Sequence, residues 1–120
     1  MLNENLRVAL AKAHEYAVEH QHEFLTLEHL LFALLHDPRA AEILESCGAD
    51  LQKLERELSE VLEGFESIDI EGPYDPVQTL GFRRVMQRAI MHVQGKNQGK
   101  AGDDRAELDG GNVLVAMYAE

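Results

Sequence analysis

Residues 26–33 have the sequence TLEHLLFA and begin the most apolar helical segment of the chain. The hydroxyl of Thr26 can cap a helix, and Glu28 lies in the first turn, where the positive end of the helix dipole favours a carboxylate. Leucines recur with helical spacing from Leu27 to Leu35 and give the segment a wide apolar face. The sequence therefore predicts a largely buried helix that begins after Thr26.

Three further helices are predicted around this one from cap residues and apolar spacing. The first follows Asn3 and runs to about His20. The third begins at Asp37-Pro38 and ends at Gly48, and the fourth is capped by Asp50 and ends at Gly64. No alternation of strand length is present, so the fold class is predicted to be all-α.

The chain also carries an internal similarity. Residues 6–13 (LRVALAKA) align with residues 82–89 (FRRVMQRA) at an offset of 76, and residues 26–33 align with residues 109–116 (DGGNVLVA) at an offset of 83. Two amphipathic helices in the same order, twice, favour a duplicated four-helix motif; a chance likeness between amphipathic helices is the alternative. Counterparts of residues 38–47 and 51–62 would lie beyond Glu120, so we expect the second copy to be truncated at the C-terminus.

Composition restricts the class of protein. The 120 residues include 22 acidic and 11 basic side chains, a net charge of −11, which argues against a nucleic-acid binder. The apolar run Leu30–Leu35 is too short to cross a bilayer, and residues 1–4 lack the features of a signal peptide. The single cysteine excludes an internal disulfide and fits a reducing compartment, so we expect a cytoplasmic domain.

Three segments resemble the amino-terminal (Clp N) domain of the AAA+ unfoldases that serve the Clp protease. They are Met1-Leu2-Asn3, the run His20-x-His22-Glu23-Phe24-x-Thr26-x-Glu28-His29-Leu30-Leu31, and Thr79-Leu80-x-Phe82-x-Arg84-Val85-x-Gln87-Arg88-Ala89. The first two are most similar to the ClpA branch of the family. The resemblance spans residues 1–120 and implies a pseudo-twofold duplication, with a first repeat at 1–64, an acidic connector at 65–78 and a partial second repeat at 79–120.

The resemblance implies a binding module rather than an enzyme. Domains of this family dock the adaptor ClpS and assist delivery of substrate polypeptides, such as N-degron proteins, to the protease ClpP. The positions that match Glu23, Glu28, Thr79 and Arg84 belong to the ClpS-docking surface of the family. Arg88 lies one turn after Arg84 on the same helix face and extends this set. Without the resemblance, the residues favour a simpler explanation of Glu23 and Glu28, as a solvated acid and an acid that stabilises the helix dipole.

No cofactor is predicted in this chain. The resemblance places the ATP sites in other modules, and the sequence has no Gly-x-x-x-x-Gly-Lys-Ser/Thr loop. His20 and His22, with Glu63 as a third ligand, are weak metal candidates, so the predicted metal is none. His29 is predicted to be a core histidine that hydrogen-bonds to backbone, and Cys47 to be a buried small hydrophobe. No catalytic constellation is recognisable.

Two other functions remain open from the sequence. One is a stand-alone Clp-N-like protein that binds a different adaptor or substrate. The other, which the residues favour less, is a small metal-dependent hydrolase built from the histidines. Four apolar residues near the predicted docking positions could line a peptide groove, although apolar residues of amphipathic helices are usually core; they are Phe24, Leu25, Leu80 and Phe82.

Overall fold

The computed structural model describes the backbone of residues 1–120 and every side chain except that of Asp103. It is mostly helical, as predicted. In chain order the elements are α1 (Glu4–Glu19), β1 (Phe24–Leu25), α2 (Leu27–Leu34), α3 (Pro38–Ser46), α4 (Leu51–Glu63), β2 (Val77–Gln78), α5 (Leu80–Lys96), a 3-10 turn (Gly102–Asp104) and α6 (Gly110–Tyr118).

Side-chain caps explain where the helices begin. Asn3 Oδ1 accepts from the Leu6 N–H at 2.9 Å, and Asp37 Oδ1 accepts from the amides of Arg39 and Ala40 at 3.0 Å. Each cap satisfies amide donors that have no partner inside the helix. The predicted starts of α1 to α4 are confirmed. From its apolar spacing the sequence predicts a last helix that begins at Asn112; the helix begins two residues earlier, at Gly110, because Asp109 is the cap.

Two short parallel pairings hold the helix starts together, and the all-helical prediction missed both. The Val77 N–H donates to the Glu23 carbonyl at 2.9 Å, and the Thr79 N–H donates to the Leu25 carbonyl at 3.1 Å. A second bridge joins Leu2 to Leu108. Strands of two residues are too short to produce an alternating sequence pattern.

The positions of the paired residues are related in the way that a duplicated motif would produce. Leu2 and Gln78 precede α1 and α5 and differ by the offset of 76, whereas Leu25 and Leu108 precede α2 and α6 and differ by the offset of 83. Leu2 pairs with Leu108, and Leu25 pairs with Gln78. Exchanging the two halves therefore converts one pairing into the other. This geometry supports the pseudo-twofold duplication, which stays a prediction.

The core forms between two helix pairs. Helix α1 packs on α2 and α5 packs on α6, while α4 covers α2 and α3 covers α6. The largest fully buried apolar side chains come from both halves: Leu6, Leu30, Leu34, Leu62, Val85 and Val113. No helix in the described part of the chain has the length and apolar character to cross a membrane.

The acidic connector is tied to the end of α1. The Ser67 hydroxyl donates to the His20 carbonyl at 3.0 Å, and the Ile68 N–H donates to the Gln21 carbonyl at 2.8 Å. The Tyr74 hydroxyl donates to the His22 carbonyl at 2.9 Å. The connector thus runs as an extended segment along the residues that follow α1.

The prediction for Cys47 was wrong, because its side chain is exposed. Helix α3 ends at Ser46, and Cys47 is its C-cap. Gly48 then takes a left-handed φ of +90°, a conformation that glycine adopts without steric penalty. The chain turns away from the core here, so the apolar stripe of α3 does not extend to the thiol.

Candidate functional site

The five predicted docking residues lie on adjoining elements around the β1–β2 pair. Glu23 immediately precedes β1 and Thr79 immediately follows β2, so the parallel pairing brings them side by side. Glu28 lies in the first turn of α2, whose Leu27 packs against Gly81 in the first turn of α5. We call the five residues the junction surface: Glu23, Glu28, Thr79, Arg84 and Arg88.

The two arginines of the junction surface share one carboxylate. Arg84 Nη2 lies 2.9 Å from Glu120 Oε1, and Arg88 Nη1 lies 3.1 Å from Glu120 Oε2. Hydrogen bonds from Arg84 and then Arg88 hold the pKa of Glu120 below its ordinary value. Sequence reasoning missed Glu120, because no periodicity relates α5 to a residue beyond the end of α6.

Exposure separates the junction residues into two kinds. Glu23, Glu28, Arg84 and Arg88 are exposed, and the two arginines are at the same time paired with Glu120. Thr79 is half-buried, and its hydroxyl accepts from the Phe82 N–H at 3.2 Å as the cap of α5. Thr79 therefore has a structural role before any contact with a partner.

Apolar side chains accompany these charges. Phe24 and Val77, which are paired across the two strands, are 47% and 57% exposed, and Leu80 is 59% exposed. Of the four predicted groove residues, Leu25 and Phe82 are instead buried in the core. Exposed apolar residues bordered by charges are typical of protein interaction sites.

A pair of buried histidines lies behind β1. The Thr26 N–H donates to His29 Nδ1 at 3.0 Å, so the hydrogen of the neutral His29 ring is on Nε2. His29 Nε2 lies 2.8 Å from His22 Nδ1 and therefore donates to it. Burial, then the neighbouring His22, lower the pKa of His29 to about 4, and burial also lowers the pKa of His22. The prediction of a core histidine bonded to backbone is confirmed.

The structure does not bring the weak metal candidates together as ligands. His22 Nδ1 is occupied by His29, and His20 Nδ1 lies 2.9 Å from the Tyr16 carbonyl. Within the described residues, no three His, Cys, Asp or Glu side chains come together as metal ligands would.

An open groove runs along α5 beside the chain start. Its cavity has a volume of about 780 Å³. Its apolar lining includes Leu2 and Leu108 of the bridge and Met86, Ile90 and Val93 of α5. Its polar lining includes Asn97 and Arg105. We call this cavity the α5 groove; it depends on the Leu2–Leu108 bridge, which no sequence pattern indicates.

Known proteins match the chain over nearly its whole length. The family model of the Clp repeat (R) N-terminal domain matches residues 1–120. A ClpA homolog protein of Fuscovulum blasticum is 38% identical over 122 aligned positions, which cover 99% of this chain but only 14% of that relative.

Two solved structures share the fold. The N-domain of ClpV from Vibrio cholerae has a TM-score of 0.73 at 22% identity, covering 98% of this chain and 66% of that one. A complex of the ClpV N-domain with a VipB peptide has a TM-score of 0.72 at 22% identity, covering 99% of this chain and 68% of that one.

Proposed function

Because this chain belongs to the family of Clp repeat (R) N-terminal domains, we propose that it docks adaptors and substrates for an ATP-dependent Clp unfoldase subunit. Domains of this family are non-catalytic and bind other polypeptides, so the chain itself is not an enzyme. The solved complex of a ClpV N-domain with a peptide supports a polypeptide as the class of partner.

The adaptor ClpS is the proposed partner of the junction surface. The observation that carries this proposal is the β1–β2 pairing, which gathers residues 56 positions apart, Glu23 and Thr79, at one place. Glu23 and Glu28 give this surface a negative end, and the side chains of Arg84 and Arg88, after pairing with Glu120, leave one net positive charge at the other end. A partner with the reverse charge order would be oriented by both ends and held by the apolar side chains between them.

Calorimetric titration with ClpS tests this assignment. Glu23→Lys or Arg84→Glu should weaken binding by about tenfold or more, since each places a like charge against the partner. Glu57→Lys, at an exposed position of α4 that is not among the junction residues, provides a control with the same charge change as Glu23→Lys. Unchanged affinity of both junction variants, with folding verified by circular dichroism, would overturn the assignment.

Substrate polypeptides are proposed to bind in the α5 groove as extended segments. The internal offset of 76 relates Met86, Ile90 and Val93 to Leu10, His14 and Ala17 on α1. The extended connector contacts that face of α1 through the Tyr74 hydroxyl, which donates to the Ala17 carbonyl, and through the 3.2 Å contact of Asp75 with His14. The equivalent face of α5 is open, and an apolar extended segment would cover it in the same manner.

Crosslinking of an unfolded model substrate tests the groove independently of ClpS. Ile90→Glu should reduce the yield by placing a charge on the apolar wall. Val8→Glu, at an exposed position of α1 outside the groove, is the matched control. Equal yields from both variants would place substrate binding elsewhere.

The remaining functions of an unfoldase subunit would belong to other modules of the parent protein. We propose that its ATP sites and its contacts with ClpP lie in modules outside these residues, and that it acts in the cytoplasm. The chain spans 14% of the curated relative it matches, which leaves room for such modules in a protein of that kind.

A further inference from the structure

A second cavity opens between β1 and the start of the connector. It has a volume of about 300 Å³ and is separate from the α5 groove. Its apolar wall consists of Phe24, Phe65 and Ile68, and its polar wall includes His22, Glu23 and Glu66. It has room for one apolar side chain with the adjoining backbone and is smaller than the α5 groove.

His22 can present one hydrogen-bond donor, its Nε2–H, to this cavity. The residue is 3% exposed, and the edge of its ring that carries Nδ1 accepts from His29 in the interior. In the neutral ring the hydrogen is therefore on Nε2, at the opposite edge. Within the described residues no hydrogen bond is found for Nε2, and His22 lines the cavity, so Nε2 is the atom through which this residue can donate to a ligand there.

The donor is held by a chain of hydrogen bonds that ends in the backbone. The Thr26 amide fixes the tautomer of His29, and His29 fixes the tautomer of His22. Phe65 packs against both rings, with centroid distances of 5.5 and 5.6 Å. A donor that is already oriented loses little entropy when it meets an acceptor.

The charged side chains that line the cavity are both negative. Among its described lining residues, Glu23 and Glu66 are exposed carboxylates, and Lys and Arg are absent. Tyr16 and His20 approach His22 from α1 and its C-cap, and Glu28 faces His29 from α2. A ligand in this cavity would contact apolar side chains, one neutral hydrogen-bond donor and two carboxylates.

We propose that this cavity binds one apolar side chain of a basic peptide segment. The side chain packs among Phe24, Phe65 and Ile68, and its own carbonyl oxygen accepts from His22 Nε2–H. A lysine or arginine next to it in the peptide pairs with Glu23 and Glu66. The proposal rests on the proposed function only in that the ligand is a polypeptide.

Binding of acetyl-leucyl-lysine amide, followed by NMR with labelled protein, tests the proposal. We expect saturable shifts at Phe65, Ile68 and the His22 Nε2–H. Acetyl-leucyl-glutamate amide and acetyl-glycyl-lysine amide should bind at least about tenfold more weakly, because each lacks one of the two contacts. Equal binding of the glutamate peptide, or the absence of saturable shifts, would overturn the proposal.

Two variants in the connector separate this cavity from the junction surface. Glu66→Lys should weaken binding of the lysine peptide by about tenfold. Glu71 is an exposed acid that does not line the cavity, so Glu71→Lys should change the affinity for this peptide by no more than about twofold. A lysine peptide that fails to bind while ClpS still does contradicts the cavity alone. Binding of the lysine peptide with loss of the ClpS contact contradicts the junction surface alone.

Discussion

His29 donates a 2.8 Å hydrogen bond to His22, and both rings are almost completely enclosed. The pair joins α2 to the segment that leads into β1, next to the junction surface. Because His29 Nδ1 already accepts from Thr26, neither ring can take up a second proton without breaking a buried hydrogen bond. The pair is therefore stable only in its neutral form.

Stability should fall as the pH falls through the range in which these histidines would become charged. The pKa of His29 is lowered to about 4 from 6.5, so the unfolded chain binds more protons between these values. The stabilisation is complete above pH 6.5 and is lost towards pH 4, and it amounts to about 3 kcal/mol at most by linkage. Urea unfolding at several pH values measures the slope of the free energy of unfolding against pH.

Two variants identify the source of this pH dependence. His29→Gln should flatten the slope between pH 6.5 and 4, since the buried ring that resists protonation is gone. His36→Gln changes an exposed histidine and leaves the buried pair in place, so the slope should persist. A slope that survives His29→Gln would assign the effect to other groups.

Gly110→Ala should destabilise the chain by about 1–3 kcal/mol, because overpacking forces neighbouring groups apart. A methyl group at this position would overlap the carboxylate of Asp37, which caps α3 where it packs on α6. Gly95→Ala, in α5 with open space around it, should instead stabilise by about 0.5–1 kcal/mol through helix propensity. Urea unfolding compares the two; equal effects would contradict the close approach of α3 and α6.

Asn97→Ala should loosen the segment at residues 97–106, which borders the α5 groove. Asn97 Nδ2 donates to the Ala106 carbonyl at 2.8 Å, and Asn97 Oδ1 accepts from the Ala106 N–H at 2.6 Å. Loss of both bonds should cost about 1–3 kcal/mol and speed hydrogen exchange of the Ala106 amide. Gln98→Ala, an adjacent exposed change, serves as the control. Unaltered exchange in Asn97→Ala would show that the pair does not hold the segment.

Cys47 should react completely with a thiol reagent in the folded protein, because its side chain is exposed. One equivalent is expected, since the chain has a single cysteine. Cys47→Ser should abolish the reaction and change the free energy of unfolding by no more than about 0.5 kcal/mol, as is usual for surface positions. Reaction only in denaturant would restore the prediction of a buried thiol.

The sequence by itself determined the helices, because their caps and apolar stripes are local features. Asn3, Thr26, Asp37, Asp50 and Thr79 each cap a helix through amides that lie within three residues. The residues proposed for adaptor docking came from a resemblance carried by short motifs. The offsets of 76 and 83 likewise anticipated which positions precede matching helices.

Only the tertiary structure decided the contacts between distant segments. The pairings of Leu2 with Leu108 and of Leu25 with Gln78, the bond between His22 and His29, and the sharing of Glu120 by two arginines all depend on how the helices pack. Such contacts leave no periodic trace, because strands of two residues and single side-chain bonds have no repeat. The helices were therefore fixed locally, whereas the surfaces between their ends arose from packing.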